Sequence, residues 1–492
     1  MDDYYFKTVN YSQSSLLSLS NQAFHGLKEL VVNRTRGPLI LLARTTIISL
    51  MEKISVGELR VLTKEAIYTF GKSSVREEGL LQTDTTNQVD LRSEIRVIND
   101  AFWIRMFILS DLGFAESYMV GDIEVSDLDS LFKMFILNRS NLSEMSMTTS
   151  SIFSAINTLM NSRFINSISN SISNISAHYD ISNEMFEAFL SNDMTYSCAY
   201  FNDQLGGLNG DLEIEKKSSI ELNPFEQDTL EQAQYAKLDL IIRKANLSTG
   251  DRVLEIGSGW GSLAIRAVQQ TGCQVDSITL SVEQKIYAER RIRSLGLENS
   301  IRLHLLDYRN LPESFMGTFD RVISIEMIEA VGLEYLDTYF SIVERSLKPG
   351  RGIGVFQVIT IPESRFERYR KEVDFIRKWI FPGGILPTVT FMADAIAKGS
   401  KNRLIIDSIQ NIGPHYARTL REWQRRFEAS FDITIVPNLI TTYPNLAGQP
   451  KQIEIFRRKW LYYFSYCAAG FSLRVLGDHI FTLTREGNLS LT

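Results

Sequence analysis

The spacing of apolar residues changes character along the chain. From Arg252 onward, short apolar runs alternate with stretches in which apolar residues recur every three or four positions. This predicts strands at Arg252 to Ile256, Gln274 to Thr279, Ile301 to Leu306, Arg321 to Ile325, Gly354 to Val358, Leu404 to Ile409 and His479 to Thr484. Helices are predicted between most of them, at Thr229 to Ala245, Ser262 to Gln270, Val282 to Leu295 and Glu334 to Leu347. Such alternation predicts an α/β fold with a mostly parallel sheet covered on both faces. Upstream, strand-like runs at Glu58 to Leu62, Ala66 to Phe70 and Ile95 to Ile98 precede helical periods over Phe102 to Leu112 and Leu128 to Leu137, which predicts a small α+β domain. The expected organisation is an arm with an amphipathic helix over 1–44, the small domain over 45–140, a helical linker over 141–176 and the large α/β domain over 177–492. The linker is rich in Ser and Asn, but Ile152, Ile156, Leu159, Ile165, Ile168, Ile172 and Ile175 keep near-helical spacing.

Composition narrows the function. The 492 residues carry 52 Lys and Arg against 58 Asp and Glu, a formal charge of -6, with no concentrated basic block. A nucleic-acid partner is not expected, because binding phosphates needs a concentrated positive face. Cys198, Cys273 and Cys467 lie far apart, so neither a disulfide framework nor a cysteine zinc site is expected, and a reducing compartment fits best. The five histidines show no metal-ligand spacing. The start Met-Asp-Asp lacks a secretory pattern, which predicts a cytoplasmic protein. Pro38 to Met51 is too short to span a bilayer and contains Arg44; it is expected as a helix packed on its own domain or lying on a membrane surface.

The sharpest local chemistry is DRVLEIGSGWG at 251 to 261, an apolar strand followed by Gly257, Gly259 and Gly261 and then a helix. Glycines allow a tight turn and close backbone approach at the carboxyl end of a strand, where open α/β sheets bind nucleoside cofactors. Alone, such a turn fits NAD, S-adenosylmethionine (SAM) or a structural role. The GxGxG spacing and a second strand ending in Thr279-Leu280-Ser281, without the acid that holds an NAD ribose, favour SAM. Asp307 and Tyr308 end the third strand with a carboxylate and an aromatic face for an adenine.

The chain resembles the cyclopropane-fatty-acyl-phospholipid synthases, especially the plant-type enzymes. The resemblance rests on HYDISNEMFEAFL (178 to 190), MTYSCAYF (194 to 201), LEIGSGWGSLA (254 to 264), ITLSVEQ (278 to 284), DYRNLP (307 to 312), EMIEAVG (326 to 332), FPGGILP (381 to 387), PHYARTL (414 to 420) and YCAAGF (466 to 471), in the family's order. LSDLGFAESYMVGDIEV (109 to 125) resembles the family's smaller N-terminal domain. The resemblance implies a class I SAM-dependent methyltransferase fold, with a seven-stranded sheet, acting on a cis double bond of a phospholipid acyl chain at a membrane surface, with the small domain assisting dimerisation. It also implies a bicarbonate ion as the base. Glu329 matches the glutamate that holds this ion, Tyr416 the tyrosine that orients it, and Cys198 and Ile359 the positions whose backbone N–H groups bind it. Gln357 stands where many bacterial members have His, which removes a histidine relay. Cys467 matches a cysteine once regarded as a nucleophile, but methyl transfer to an alkene needs no covalent enzyme intermediate, and a packing role beside the lipid tunnel is expected. The SAM positions implied are Tyr196, Ser197, Glu255, Gly257, Gly259, Gly261, Thr279, Leu280, Gln284, Asp307 and Tyr308.

Plainer roles compete with these. Glu329 suits a helix start, His415 a satisfied structural histidine, and Trp460 to Tyr466 a core or tunnel wall. The segment from Pro362 to Gly384 is either a solvated helix or a lid that meets the membrane. Two other activities also compete. One is a C-methyltransferase that leaves a methylene or methyl branch; the other is a non-catalytic lipid-binding protein.

Overall fold

The structure is a computed structural model that describes residues 37–72, 91–142, 182–212, 228–489 and 491. The expected arm before residue 37 and nearly all of the expected 141–176 linker lie outside the described residues.

Residues 37–51 form a helix whose Ala43, Ile47 and Met51 are buried at four-residue intervals, while Leu41 and Leu42 stay exposed. The helix therefore packs on its own domain through one stripe. Next come β1 (Gly57–Leu62), β2 (Ile67–Lys72), β3 (Arg92–Val97) and β4 (Ile123–Val125), paired in the order β2-β1-β3-β4. The single helix expected over Phe102 to Leu112 is two helices, Ala101–Leu109 and Asp111–Val120. Ser110 breaks it with a φ of 51°, and a Cβ on Gly113 would stand 2.0 Å from the Arg105 carbonyl oxygen. Glycine lets the second helix fold back over the first.

The larger sheet contains β5 (Arg252–Ile256), β6 (Gln274–Thr279), β7 (Ile301–Leu305), β8 (Arg321–Ile325), β9 (Ile353–Thr360), β10 (Ile405–Asn411) and β11 (Gly477–Thr484), in the order β10-β11-β9-β8-β5-β6-β7. β5 to β9 are parallel, and β11 runs antiparallel to both β9 and β10. From β5 the chain proceeds outward through β6 and β7 and then returns to β8 on the other side. Strand order therefore reverses between β5 and β8, and this reversal opens a crevice at their carboxyl ends. Asp228 caps the helix Thr229–Lys244 by accepting from the Leu230 and Glu231 N–H groups, and Ser281 caps Val282–Ser294 through the Gln284 N–H.

The long helix Pro450–Ser472 joins the two sheets. Its Tyr462 packs on Phe132 at 4.9 Å and Phe375 at 4.4 Å between ring centroids, and its Arg458 donates to the carbonyls of Tyr118 and Ile123. The segment from Pro362 to Gly384 is not a free lid. A helix (Glu363–Lys371) and a wide turn (Ile376–Ile380) bury Phe366, Phe375 and Trp379, and Lys378 pairs with buried Glu116 of the small domain at 2.6 Å.

Candidate active site

The glycine turn follows β5 directly. Gly257, Gly259 and Gly261 have φ of 97°, 47° and 88°. A Cβ on Gly257 would lie 3.1 Å from Met327, whereas one on Gly259 would meet nothing within 4 Å, so this backbone faces open space. The Gly257 and Ser258 N–H groups donate to the Ile278 carbonyl at 3.0 and 3.1 Å, fixing the turn to β6. Trp260 donates to Asn183 at 2.8 Å. Glu255, at the end of β5, is buried and accepts from Ser277, and burial pushes it up to about 8. It braces the two strands instead of standing free in the crevice.

Around the rim, Thr279 reaches Gln284 at 3.3 Å and accepts from the Ser281 N–H at 3.1 Å, while the Leu280 side chain is 72% exposed. Asp307 accepts from the backbone and guanidinium of Arg309, which holds its carboxyl low. The Tyr308 ring meets Tyr339 edge-on at 5.1 Å. Tyr196 is half-buried among Phe186, Trp423 and Phe381, its hydroxyl 3.1 Å from that of Tyr463. Ser197 accepts from the buried ammonium of Lys237 at 2.7 Å.

The unexpected feature lies where β8 ends. Glu326 takes a left-handed backbone with φ of 47°, a conformation that costs a non-glycine residue about 1 kcal/mol. The turn delivers its carboxylate into a set of donors. The Cys198 N–H and Gln357 Nε2 both donate to Oε1 at 2.8 Å, and the Tyr416 hydroxyl donates to Oε2 at 2.7 Å. Gln357 Nε2 also donates to Asp478 Oδ2 at 2.8 Å, so one amide bridges Asp478 and Glu326. Three residues on, Glu329 accepts from the Ile359 N–H at 2.6 Å, while its Oε2 is buried without a hydrogen-bond partner.

Three carboxyl groups in one dry space cannot all ionise. Burial raises Glu326, but the Cys198 N–H, the Tyr416 hydroxyl and the Lys237 ammonium favour its charged form. Burial and the neighbouring Glu326 charge push Glu329 up to about 8 and Asp478 well above the carboxylate range. Glu326 is thus the carboxyl with the most donors and a cation favouring its charged form, while burial and like charge disfavour the charged form at Glu329 and Asp478.

The five groups assigned by resemblance to the bicarbonate site are brought together, but the four donors among them are each engaged by a carboxyl group of the chain itself. Cys198, Gln357 and Tyr416 serve Glu326, and Ile359 serves Glu329. A bicarbonate ion would have to displace the Glu326 carboxylate, so the arrangement does not fit the ion. Cys467 is buried, and burial pushes its thiol well up, as it does for Cys198. Neither is a ready nucleophile. His415 accepts from the Phe201 N–H at 3.2 Å and is pushed down to about 4 by burial and then by Arg418, as befits a structural histidine. Sequence reasoning did not single out Glu326, Asp478 or Lys237. The first stands in the quoted EMIEAVG motif, and the other two carry no local signal.

The model of the family described as mycolic acid cyclopropane synthetase matches residues 166–478. The tuberculostearic acid methyltransferase of Mycobacterium tuberculosis is 37% identical over 315 residues, 64% of this chain and 65% of that protein, just under two thirds of its length. The cyclopropane-fatty-acyl-phospholipid synthase of Escherichia coli is 33% identical over 385 residues, 78% of this chain and 85% of that protein. The latter match is longer than the family match and so reaches into the N-terminal part. Among solved structures, coclaurine N-methyltransferase bound to N-methylheliamine and SAH covers 76% of this chain and 99% of its own at 16% identity and a TM-score of 0.51, a likeness of fold. By these matches, the chain belongs to the mycolic acid cyclopropane synthetase family of SAM-dependent methyltransferases.

Proposed function

We propose that the protein is a cyclopropane-fatty-acyl-phospholipid synthase, acting on a cis double bond of a phospholipid acyl chain and closing a three-membered ring with loss of a proton. The observation that carries this reading is a buried carboxyl cluster beside stacked aromatic rings, next to a glycine turn at the carboxyl ends of β5 and β8. An alkene is a weak nucleophile, and its methylation leaves a carbocation. Dry walls, electron-rich faces and a fixed negative charge suit that intermediate better than they suit a polar N- or O-substrate.

SAM supplies an electrophilic methyl group carried on a sulfonium. The residues that would hold it are the turn at Gly257, Gly259 and Gly261, the rim at Thr279, Leu280 and Gln284, the pair Asp307 and Tyr308, and Tyr196 with Ser197; Glu255 supports the turn from beneath. Tyr416, stacked on Phe471 with 4.4 Å between centroids, presents a ring to the developing cation and its hydroxyl to Glu326. Glu329, protonated and with one free oxygen, is placed to exchange a proton inside the cluster.

The chain meets the membrane peripherally in this reading. Among the described residues no helix is long and apolar enough to cross a bilayer. The exposed Leu41, Leu42, Val373 and Phe381 are the apolar side chains offered to a lipid surface, and the small domain is the part offered for pairing with a second copy. Vesicle flotation and light scattering test these two points.

The activity test incubates purified protein with SAM and vesicles of a cis-monounsaturated phospholipid, followed by mass spectrometry of the fatty acids before and after mild hydrogenation. A product one carbon heavier that resists hydrogenation is expected, and no product with several lipids would overturn the reading. A second reading, C-methylation without ring closure, draws on the likeness to tuberculostearic acid methyltransferase. A methylene branch would take up hydrogen, which separates the two.

A further inference from the structure

We propose that Glu326 is the proton acceptor of the reaction, a carboxylate built into the chain where a bicarbonate ion would otherwise sit, so that the enzyme works without bicarbonate. The inference rests on the synthase reading above.

Four observations support it. The Cys198 N–H, Gln357 Nε2 and Tyr416 hydroxyl converge on one carboxylate at 2.7 to 2.8 Å, an anion cradle already filled. The backbone at Glu326 adopts a left-handed turn that places the side chain there. The neighbouring acids lack such a donor set, since Glu329 accepts from the Ile359 N–H and Asp478 from Gln357, each with one oxygen unpartnered, and burial beside Glu326 raises both. His415 turns its ring to Tyr200 and its Nδ1 to the Phe201 N–H, and burial raises both buried thiols.

The step balances as follows. The S–CH3 bond breaks and its carbon bonds to one alkene carbon through the alkene electron pair, leaving a neutral thioether and a cation on the other carbon. A C–H bond of the new methyl group then breaks, its electron pair closes the ring onto the cationic carbon, and the proton goes to the Glu326 carboxylate. The single positive charge of the sulfonium ends as one proton on Glu326. Asp478 and Gln357 act as positioning residues that hold the acceptor.

The test compares rates in carbon-dioxide-depleted buffer with and without added bicarbonate, for the wild type and for Glu326→Gly and Glu326→Gln. The wild-type rate is expected to be the same in both buffers within about twofold. Both variants should fall by about 100-fold in depleted buffer, the range of a lost general base. Bicarbonate should restore Glu326→Gly at least partly, because glycine accepts the backbone turn and empties the cradle. It should not restore Glu326→Gln, whose amide still fills the space.

A readout independent of turnover is the broadening of the 13C resonance of labelled bicarbonate, expected with Glu326→Gly and absent with the wild type. SAM binding by calorimetry confirms that the variants are folded. A wild type that needs bicarbonate, a wild type that binds the labelled ion, or an active Glu326→Gln would each overturn the proposal. Should the wild type make no lipid product in either buffer, the synthase reading fails, and the bicarbonate-binding comparison still decides what occupies the cradle.

Discussion

The two ends of the large sheet treat acidic residues in opposite ways. At the amino-terminal end, Asp320 is buried beside Lys348 at 2.6 Å and Arg351 at 2.8 Å and accepts from the Arg252 N–H at 3.0 Å. Arg252 in turn pairs with Asp276, which meets His304 on its other oxygen. Burial pushes Asp320 up, but the N–H and the two cations outweigh it and hold the carboxyl low. At the carboxyl-terminal end, Glu255, Glu326, Glu329 and Asp478 are all pushed up, with the buried Lys237 ammonium facing Glu255 and Glu326. An acid given a full set of cations holds a sheet together. One that shares its space with other acids, as Glu326, Glu329 and Asp478 do, has its proton affinity raised by burial and like charge, at some cost in stability.

This contrast can be broken by substitution. The largest effect is expected at the carboxyl-terminal end, where Glu329→Gln should lower kcat by about 100-fold or more while SAM binding persists and the melting temperature stays equal or rises. Unchanged turnover would remove Glu329 from the proton chemistry. Asp320→Asn should do the reverse, losing about 3 kcal/mol in urea unfolding with activity per folded molecule unchanged; a kinetic defect there would dissolve the distinction between the ends.

The ends also pull stability in opposite directions with pH. Glu329, raised in the fold to about 8, favours folding below the ordinary glutamate range and loses that contribution as pH climbs toward 8. Asp320, lowered in the fold, contributes above the ordinary aspartate range and loses its contribution as pH falls through its depressed pKa. Glu329→Gln should therefore flatten the decline between pH 5 and 8, by about 3 kcal/mol, and Asp320→Asn should flatten only the acid side. The smallest effect belongs to Arg351→Ala. Its side chain is 66% exposed, so solvent screens the pair and a loss below about 0.5 kcal/mol is expected.

How far the sequence could be read follows the same division. The seven strands of the large sheet were legible because each is an apolar run bounded by a helical period, and the glycine turn was legible because only Gly257 and Gly261 suit its backbone and close contacts. The ends of β9 and β11 were harder. β9 continues to Thr360 and β11 begins at Gly477, and those extensions carry Ile359 and Asp478 to the cluster. Asp478 meets Gln357 from 121 residues away, a distance that no local pattern reports. The choice between Glu326 and Glu329 within EMIEAVG depended on one dihedral angle, because the left-handed turn at Glu326 decides which carboxylate enters the donor set. Tyr416, Cys198, Gln357 and Ile359 were placed together by resemblance, but the Glu326 carboxylate that the first three surround was not.

That same dihedral angle has an evolutionary reading. The backbone at position 326 lies where glycine is at ease, and glutamate and glycine codons differ by a single nucleotide. One base change would thus trade a tethered carboxylate for an empty cradle without asking the fold to move. A lineage could pass between an enzyme whose lipid modification follows the carbon dioxide around the cell and one that is indifferent to it.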